Sequence, residues 1–257
     1  MSILITRPAP AGEELVNRLT AAGKTAFSAP LISIHPGADL PLLSHKLQRL
    51  TAGDFVFLLS KNAVHYACEQ LGQDSLSWSD RLSYYGIGKS TSQFFHQKTG
   101  KNILWPEQGE TSEDLLQLPS LQQVENKKVL LLRGNGGREV ISSTLRARGA
   151  EVDYCECYAR RAVKYHSAEF SHYWQRCGIK TLVVTSGEML RLLYNLVIEG
   201  DSTEGNANDS SNSKAWLLNC RLIVVSERLA SIARTLGWQV IKVAKSADND
   251  ALMQALE

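Results

Sequence analysis

The sequence predicts an α/β protein made of two similar, doubly wound parallel-sheet domains. Three observations predict it. Short continuous apolar runs alternate with helical patterns, the whole pattern occurs twice, and the two copies hold a common register. Ile3-Leu4-Ile5-Thr6-Arg7 opens the first copy and Leu130-Leu131-Leu132-Arg133 the second. At an offset of 126, Arg7 falls on Arg133, Glu13 on Glu139, Leu19 on Leu145, Gly23 on Gly149 and Ser60 on Ser186. Further on, Gly88 aligns with Ser226 and Ile103 with Ile241 at an offset of 138, and the 12 added residues fit inside the polar run 199–214.

Each copy begins strand, helix, strand: residues 3–6, 13–22 and 25–28 in the first, 128–132, 138–148 and 151–155 in the second. Gly23 and Gly149 stop the two helices, where a left-handed residue is needed. Three strand-helix units follow in each copy. Strand 55–59 leads to a helix at Asn62, and strand 181–184 to one at Glu188. Strand 84–87 precedes helix 89–96, and strand 222–225 precedes helix 228–236. Strand 102–104 precedes helix 112–116, and strand 240–243 precedes helix 249–256. Apolar strands separated by helices imply parallel sheets covered on both faces. The run 199–214 has almost nothing to bury and reads as a mobile surface loop.

The bulk composition narrows the function classes. At 257 residues, 44% hydrophobic and 21% charged, the chain is ordinary for two globular domains. A net charge of +2 offers no concentrated basic face for nucleic acid. Cys68, Cys155, Cys157, Cys177 and Cys220 are odd in number and contain no Cys-x-x-Cys, which predicts reduced thiols in a cytoplasm. Cys155 and Cys157 share one strand face, where packing explains them better than metal binding. Three apolar residues before Thr6-Arg7-Pro8 are too few for a signal-peptide core, and no segment approaches the ~20 apolar residues of a membrane span. The six histidines show no metal-like spacing. The expectation is a cytoplasmic protein without a metal site, a membrane anchor or a nucleic-acid partner.

Ligands of parallel α/β sheets bind beyond the strand carboxyl ends, where helices begin. Those positions are Thr6-Arg7, Ser60-Lys61-Asn62, Gly88-Lys89-Ser90-Thr91, Arg133-Gly134-Asn135-Gly136-Gly137, Thr185-Ser186-Gly187 and Ser226-Glu227-Arg228. Free N–H groups and the helix dipole make such ends anion sites, although a serine there is more often only an N-cap. Six such ends imply a ligand carrying several negative charges. Gly134-Asn135-Gly136 also begins like a dinucleotide fingerprint, but Glu139 stands where the third glycine belongs, and the acidic partner would be Asp153 or Glu156. The segments 31–37 and 157–165 join the halves. Tyr158 opens the second, followed by Arg160 and Arg161, and position alone leaves it a packing residue or a functional one.

The segments Ile3-Leu4-Ile5-Thr6-Arg7-Pro8, Leu132-Arg133-Gly134-Asn135-Gly136-Gly137-Arg138-Glu139 and Cys155-Glu156-Cys157-Tyr158 resemble uroporphyrinogen-III synthases, the enterobacterial form in particular. Val183-Val184-Thr185-Ser186-Gly187-Glu188-Met189, Val224-Val225-Ser226-Glu227-Arg228-Leu229-Ala230 and Ala247-Asp248-Asn249-Asp250-Ala251-Leu252 carry the same resemblance to the end of the chain. It implies that the first strand-helix-strand of each copy joins the sheet of the other. The domains would be 1–35 plus 166–257, and 38–157, with 31–37 and 157–165 crossing side by side and the cleft between the domains. The implied enzyme is a lyase that needs no cofactor, works as a monomer and permits transient contact with the preceding pathway enzyme. Its substrate would be hydroxymethylbilane, a linear tetrapyrrole with four acetates and four propionates, closed to uroporphyrinogen III with loss of water and inversion of ring D through a spiro intermediate. Tyr158 matches the family's catalytic candidate. Arg7, Ser60, Lys61, Thr91, Arg133, Thr185, Ser186 and Ser226 become substrate-binding candidates. From the residues alone, a two-domain protein that closes on a polyanionic metabolite without transforming it, or a nucleotide-dependent enzyme, stays open beside this reading.

Overall fold

The computed structural model describes residues 2–137, 139–165, 167–203 and 207–257, the side chains of 167–169, 199–203 and 207–212 excepted. The chain divides into two compact units, Met1–Ile34 with Arg161–Glu257, and His35–Arg160.

The first unit begins with β1 (Ser2–Ile5), α1 (Ala11–Ala21) and β2 (Thr25–Ser28). β3 (Ile32–Pro36) then carries the chain into the second unit, which continues through α2 (Leu43–Gln48), β4 (Phe55–Leu58), α3 (Lys61–Gln73), β5 (Ser83–Gly86), α4 (Lys89–Thr99) and α5 (Ser112–Leu115). β6 (Lys128–Gly134), α6 (Val140–Ala147) and β7 (Glu151–Ala162) follow, and β7 leads back out. The first unit resumes with α7 (Ser167–Arg176), β8 (Ile179–Val183), α8 (Gly187–Thr203) and α9 (Ala207–Asn219). It ends with β9 (Arg221–Val224), α10 (Glu227–Leu236), β10 (Ile241–Val243) and α11 (Asn249–Ala255).

The sheet of the first unit has the order β10-β9-β8-β1-β2, with every neighbour parallel. Strand alternation sorts its side chains onto two faces. Leu4, Leu182, Leu222 and Val224 pack with Leu190, Leu193, Leu217 and Trp238 on one side. Ile3, Ile5, Val183 and Ile223 meet Leu15 and Leu19 of α1 and Leu252 of α11 on the other. The chain steps outward from β1 to β2, then returns past β1 to β8, so the winding reverses between β1 and β8.

The second sheet has the order β3-β7-β6-β4-β5, and β4 pairs parallel with β5 and with β6, as β6 does with β7. Phe55, Phe57, Val129 and Leu131 form one core with Leu145 and Leu115. Val56, Leu58, Leu130 and Leu132 point the other way and are equally buried. Here the winding reverses between β4 and β6. β3 and β7 run antiparallel where the chain crosses: Gly37 N–H donates to the Cys157 carbonyl and Val163 N–H to the Leu31 carbonyl, each at 3.0 Å.

Three expectations need correction. The strand expected at 102–104 reduces to one bridge between Leu104 and Tyr85, since two chain-to-chain bonds at a sheet edge do not make a ladder. The second joining segment is not a linker at its start, because β7 runs unbroken from Glu151 to Ala162 and holds Tyr158 within the sheet. The polar run 199–214 is helical through Thr203 and again from Ala207, while the part of that expectation at 204–206 lies outside the described residues. Tertiary anchoring overrides its poor intrinsic propensity. Ser213 is fully buried and accepts from Gln175 Nε2 at 3.2 Å, Leu217 is fully buried, and Trp216 Nε1 donates to the Ile179 carbonyl at 3.1 Å.

At the amino ends of β4 and β6, buried Asp54 ties the two strands together. It accepts from Thr51 N–H at 2.7 Å, Thr51 Oγ1 at 3.0 Å and Lys128 N–H at 3.0 Å. Burial pushes its pKa up, but these bonds and nearby Lys127 outweigh burial and hold the carboxyl below its usual value. A depressed folded-state pKa contributes stability above the unfolded-state value and loses it as pH falls through the folded one. Asp54→Ala is therefore expected to cost about 1–3 kcal/mol at neutral pH, from two N–H groups left unpaired. Denaturant unfolding should show the gap to the unsubstituted protein narrowing steadily below the ordinary carboxylate pKa. A gap independent of pH would contradict the assignment.

Candidate active site

Parallel pairing brings the carboxyl ends of β4 and β6 together at the winding reversal, where such folds place ligands. A cavity of about 220 Å³ opens there, lined by Leu59, Ser60, Ile87, Ser112, Arg133, Gly134, Gly136, Gly137, Ile141, Tyr158 and Arg160. Ser60, Arg133 and Tyr158, three of the sequence-derived candidates, thus share one cavity. A larger cavity of about 360 Å³, around Trp78, Arg81 and Leu76, lies at the amino ends of the strands and holds none of them.

Tyr158 reaches the cavity through an irregularity in β7. Arg133 pairs with Glu156, but Gly134 pairs with Tyr158, so Cys157 is an extra residue between them. A bulge re-aims the side chain that follows it. The Tyr158 ring packs close to the backbone of Gly134: a Cβ there would come within 2.5 Å of Cζ and 2.9 Å of the hydroxyl. The Tyr66 ring stacks over it at a centroid distance of 6.4 Å and 13° between planes. Ser60 Oγ and the Tyr158 hydroxyl are hydrogen-bonded at 3.2 Å. Tyr158 is 9% exposed, so its surroundings fix the ring and leave its edge at the cavity.

Arg133 is not a free cation. Its Nε donates to the Gly136 carbonyl at 3.2 Å, Nη2 donates to the same oxygen, and Nη1 donates to Glu139 Oε1 at 2.9 Å. Tyr154 at 2.5 Å and Ser142 at 2.8 Å donate to the other Glu139 oxygen. Bonds from Tyr154, Ser142 and Arg133, in that order, bring the Glu139 carboxyl down to about 2. Arg133 therefore braces the 134–137 turn as well as lining the cavity. Asn135 extends the brace: its Oδ1 accepts from Arg160 N–H at 2.7 Å, and its N–H donates to the Tyr158 carbonyl at 3.0 Å.

The other candidates are distributed. Lys61 is exposed at the start of α3 and lines a neighbouring cavity of about 280 Å³ with Lys89, Ser90, Gln93 and Glu110. Thr91 is buried in the first turn of α4 and lines neither cavity. Arg7, Thr185, Ser186 and Ser226 belong to the first unit, at the carboxyl ends of β1, β8 and β9. Arg7 Nη1 donates to Asn249 Oδ1 at 2.6 Å; burial lowers its pKa against the opposing pull of Glu14 and Asp248. Thr185 Oγ1 meets Met189 Sδ at 3.7 Å. Ser60, Ser186 and Ser226 each cap their own helix, accepting from Ala63, Met189 and Leu229 N–H. The capping reading holds for all three, and it leaves each hydroxyl proton free to act elsewhere. Sequence reasoning missed Tyr66, whose stacking depends on helix rotation, and the part Gly134 plays in seating Tyr158.

A family model described as uroporphyrinogen-III synthase HemD matches residues 13–254. The chain belongs to the uroporphyrinogen-III synthase family. It is 50% identical to the uroporphyrinogen-III synthase of Escherichia coli (strain K12) over 257 residues, all of both chains. It is 58% identical to that of Proteus mirabilis over 193 residues, covering 75% of this chain and 97% of the other. Two solved structures share the fold at 15% identity. One is a mutant uroporphyrinogen III synthase of Thermus thermophilus, with a TM-score of 0.64 over 100% of this chain and 98% of that one. The other is uroporphyrinogen-III synthetase of Helicobacter pylori 26695, with a TM-score of 0.56 over 99% and 97%.

Gly134→Ala is expected to displace the Tyr158 ring and to cost about 1–3 kcal/mol of stability, the usual range for overpacking. Activity of the folded variant should fall at least as far as that of Tyr158→Phe. Full activity with an unchanged melting temperature would mean the close approach of ring and backbone has no functional weight.

Proposed function

We propose that this chain closes hydroxymethylbilane to uroporphyrinogen III, with loss of water and inversion of ring D. The observation that carries the reading is Tyr158, held by Ser60 and Gly134 at the β4/β6 reversal of a chain in this family. A pyrrole nitrogen of ring A expels the hydroxyl and leaves an electrophilic azafulvene. Ring D attacks through its substituted carbon to give the spiro intermediate, which fragments and recloses inverted. The bilane also cyclises unaided without inversion, so the protein's work is mainly to hold a geometry favouring the spiro route. Tyr158 donates a proton to the departing hydroxyl. Helix-start N–H groups with Lys61, Arg7 and the candidate hydroxyls Thr185, Ser186 and Ser226 take carboxylates of the substrate.

The reading includes lyase chemistry without a metal or organic cofactor, a monomer, and a cytoplasmic location. Among the described residues no three His, Cys, Asp or Glu side chains cluster as metal ligands, and no helix is long and apolar enough to cross a membrane. It takes 1–35 plus 166–257, and 38–157, as the functional domains, which the two compact units support. Family membership disfavours a binding protein that leaves its ligand unchanged.

Incubation with hydroxymethylbilane should yield the type III isomer in excess of type I; type I alone would refute the reading. Tyr158→Phe should lower kcat by about 10²–10⁴-fold at most, without abolishing turnover and with KM little changed, because nitrogen push supplies most of the driving force. A folded variant with full activity would reduce Tyr158 to packing. Prolonged treatment with EDTA followed by dialysis should leave turnover unchanged, whereas reversible loss restored by one metal would overturn cofactor independence.

A further inference from the structure

We infer that Ser60 is a positioning residue that sets the proton of Tyr158, and not a binder of substrate carboxylates. The inference rests on Tyr158 acting as the acid in the proposed reaction. Ser60 Oγ accepts the Ala63 N–H at 3.1 Å, in an extended N-cap geometry with φ −168° and ψ 160°. That bond anchors the oxygen to the first turn of α3 and leaves the Ser60 proton to be placed. The Tyr158 hydroxyl oxygen stands 3.2 Å away, and because Ser60 Oγ already accepts from Ala63 N–H, the assignment is Ser60 as donor and Tyr158 as acceptor. A phenol oxygen that accepts from Ser60 must point its own proton elsewhere. A phenolic O–H lies in the ring plane, so with Ser60 at one in-plane position the proton takes the other, which we assign to the cavity lined by Ser60, Arg133 and Tyr158.

The chain of donors runs from Ala63 N–H to Ser60, from Ser60 to Tyr158, and from Tyr158 to the leaving group. During expulsion the carbon–oxygen bond of the hydroxymethyl group breaks, with nitrogen lone-pair electrons completing the azafulvene. The departing hydroxyl takes the Tyr158 proton and leaves as water. The resulting phenolate keeps the Ser60 hydrogen bond, which stabilises the charged form and makes the phenol a better acid. The proton released when the new pyrrole carbon regains aromaticity returns to Tyr158, so the residue is unchanged over the cycle.

Capping by Ser60 would by itself affect stability, while the relay predicts an effect on kcat that vanishes without the phenol. The test is a cycle of Ser60→Ala, Tyr158→Phe and the double variant, assayed with hydroxymethylbilane and checked by melting temperature. Ser60→Ala should lower kcat about 5-fold, the change one neutral hydrogen bond is worth, with KM unchanged. Ser60→Thr, which retains the hydroxyl and the cap, should restore most of it. In the Tyr158→Phe background, Ser60→Ala should add nothing. If Ser60→Ala does not fold, Ser60→Gly serves the same cycle, because glycine is nearly as good an N-cap. An undiminished loss in the Tyr158→Phe background, or a rise in KM alone, overturns the relay and makes Ser60 a direct binder. Full activity of Tyr158→Phe itself is a separate result, and it removes the acid reading on which the relay rests.

Discussion

Parallel pairing of β6 between β4 and β7 is the constraint on which the candidate site depends. It delivers Leu58-Leu59-Ser60, Leu132-Arg133-Gly134 and Tyr158 to the same end of one sheet. Helices cover both faces, so the only outlets for polar side chains are strand ends, and the carboxyl ends meet helix starts rich in unpaired N–H groups. The opposite end is closed by Asp54, which consumes the N–H groups of Thr51 and Lys128 internally. One carboxylate therefore fixes the register of β4 against β6 at one end, and the same register sets the Ser60–Tyr158 distance at the other.

The cavity wall is braced by its own residues. Gly134 lets the Tyr158 ring approach the chain, Arg133 grips the Gly136 carbonyl, and Glu139 grips Arg133. A guanidinium facing anions would ordinarily be read as their binder. Here two of its donors are committed to the turn and a third to Glu139, and its ring contact with Tyr154 at 5.3 Å holds the plane. Its influence on an anionic ligand is then through the 134–137 turn it braces as much as through charge. The proposed cyclisation calls for such fixed geometry, because selection between two ring closures would come from shape more than from acid strength.

Much of this was legible in the sequence. Repeat register exposes two α/β units, and the strand-end rule points to Ser60, Arg133 and Ser226. The crossing of the chain between sheets was not legible from the repeat, since a local pattern carries no information on which copy completes a sheet; only the resemblance implied it. The polar run 199–214 misled for a related reason. Its residues lack a periodic apolar face, yet Trp216 and Leu217 just beyond it are anchored and draw the preceding turns into helix. The bulge at Cys157 was equally hidden, because strand alternation gives Tyr158 and Glu156 the same face and nothing in the residues marks the slip.

The two copies diverge at the point where chemistry is proposed. Tyr158 falls on Ile32 at the repeat offset, and Gly134 falls on Pro8. Ile32 is buried among apolar side chains and offers neither a donor nor an acceptor beyond its backbone. The serine is kept, as Ser186 caps α8 just as Ser60 caps α3, but the residue that would receive its proton is absent from that register. Arg7 follows the same logic: it occupies the Arg133 position yet is tied to Asn249 of α11, and the aligned Glu13 is not its partner. The two copies thus each offer helix starts suited to anions, and at this register only one carries a phenol seated on a glycine with a serine behind it. That asymmetry suits the proposed substrate, whose eight carboxylates call for many anion contacts and whose one leaving group calls for a single proton donor.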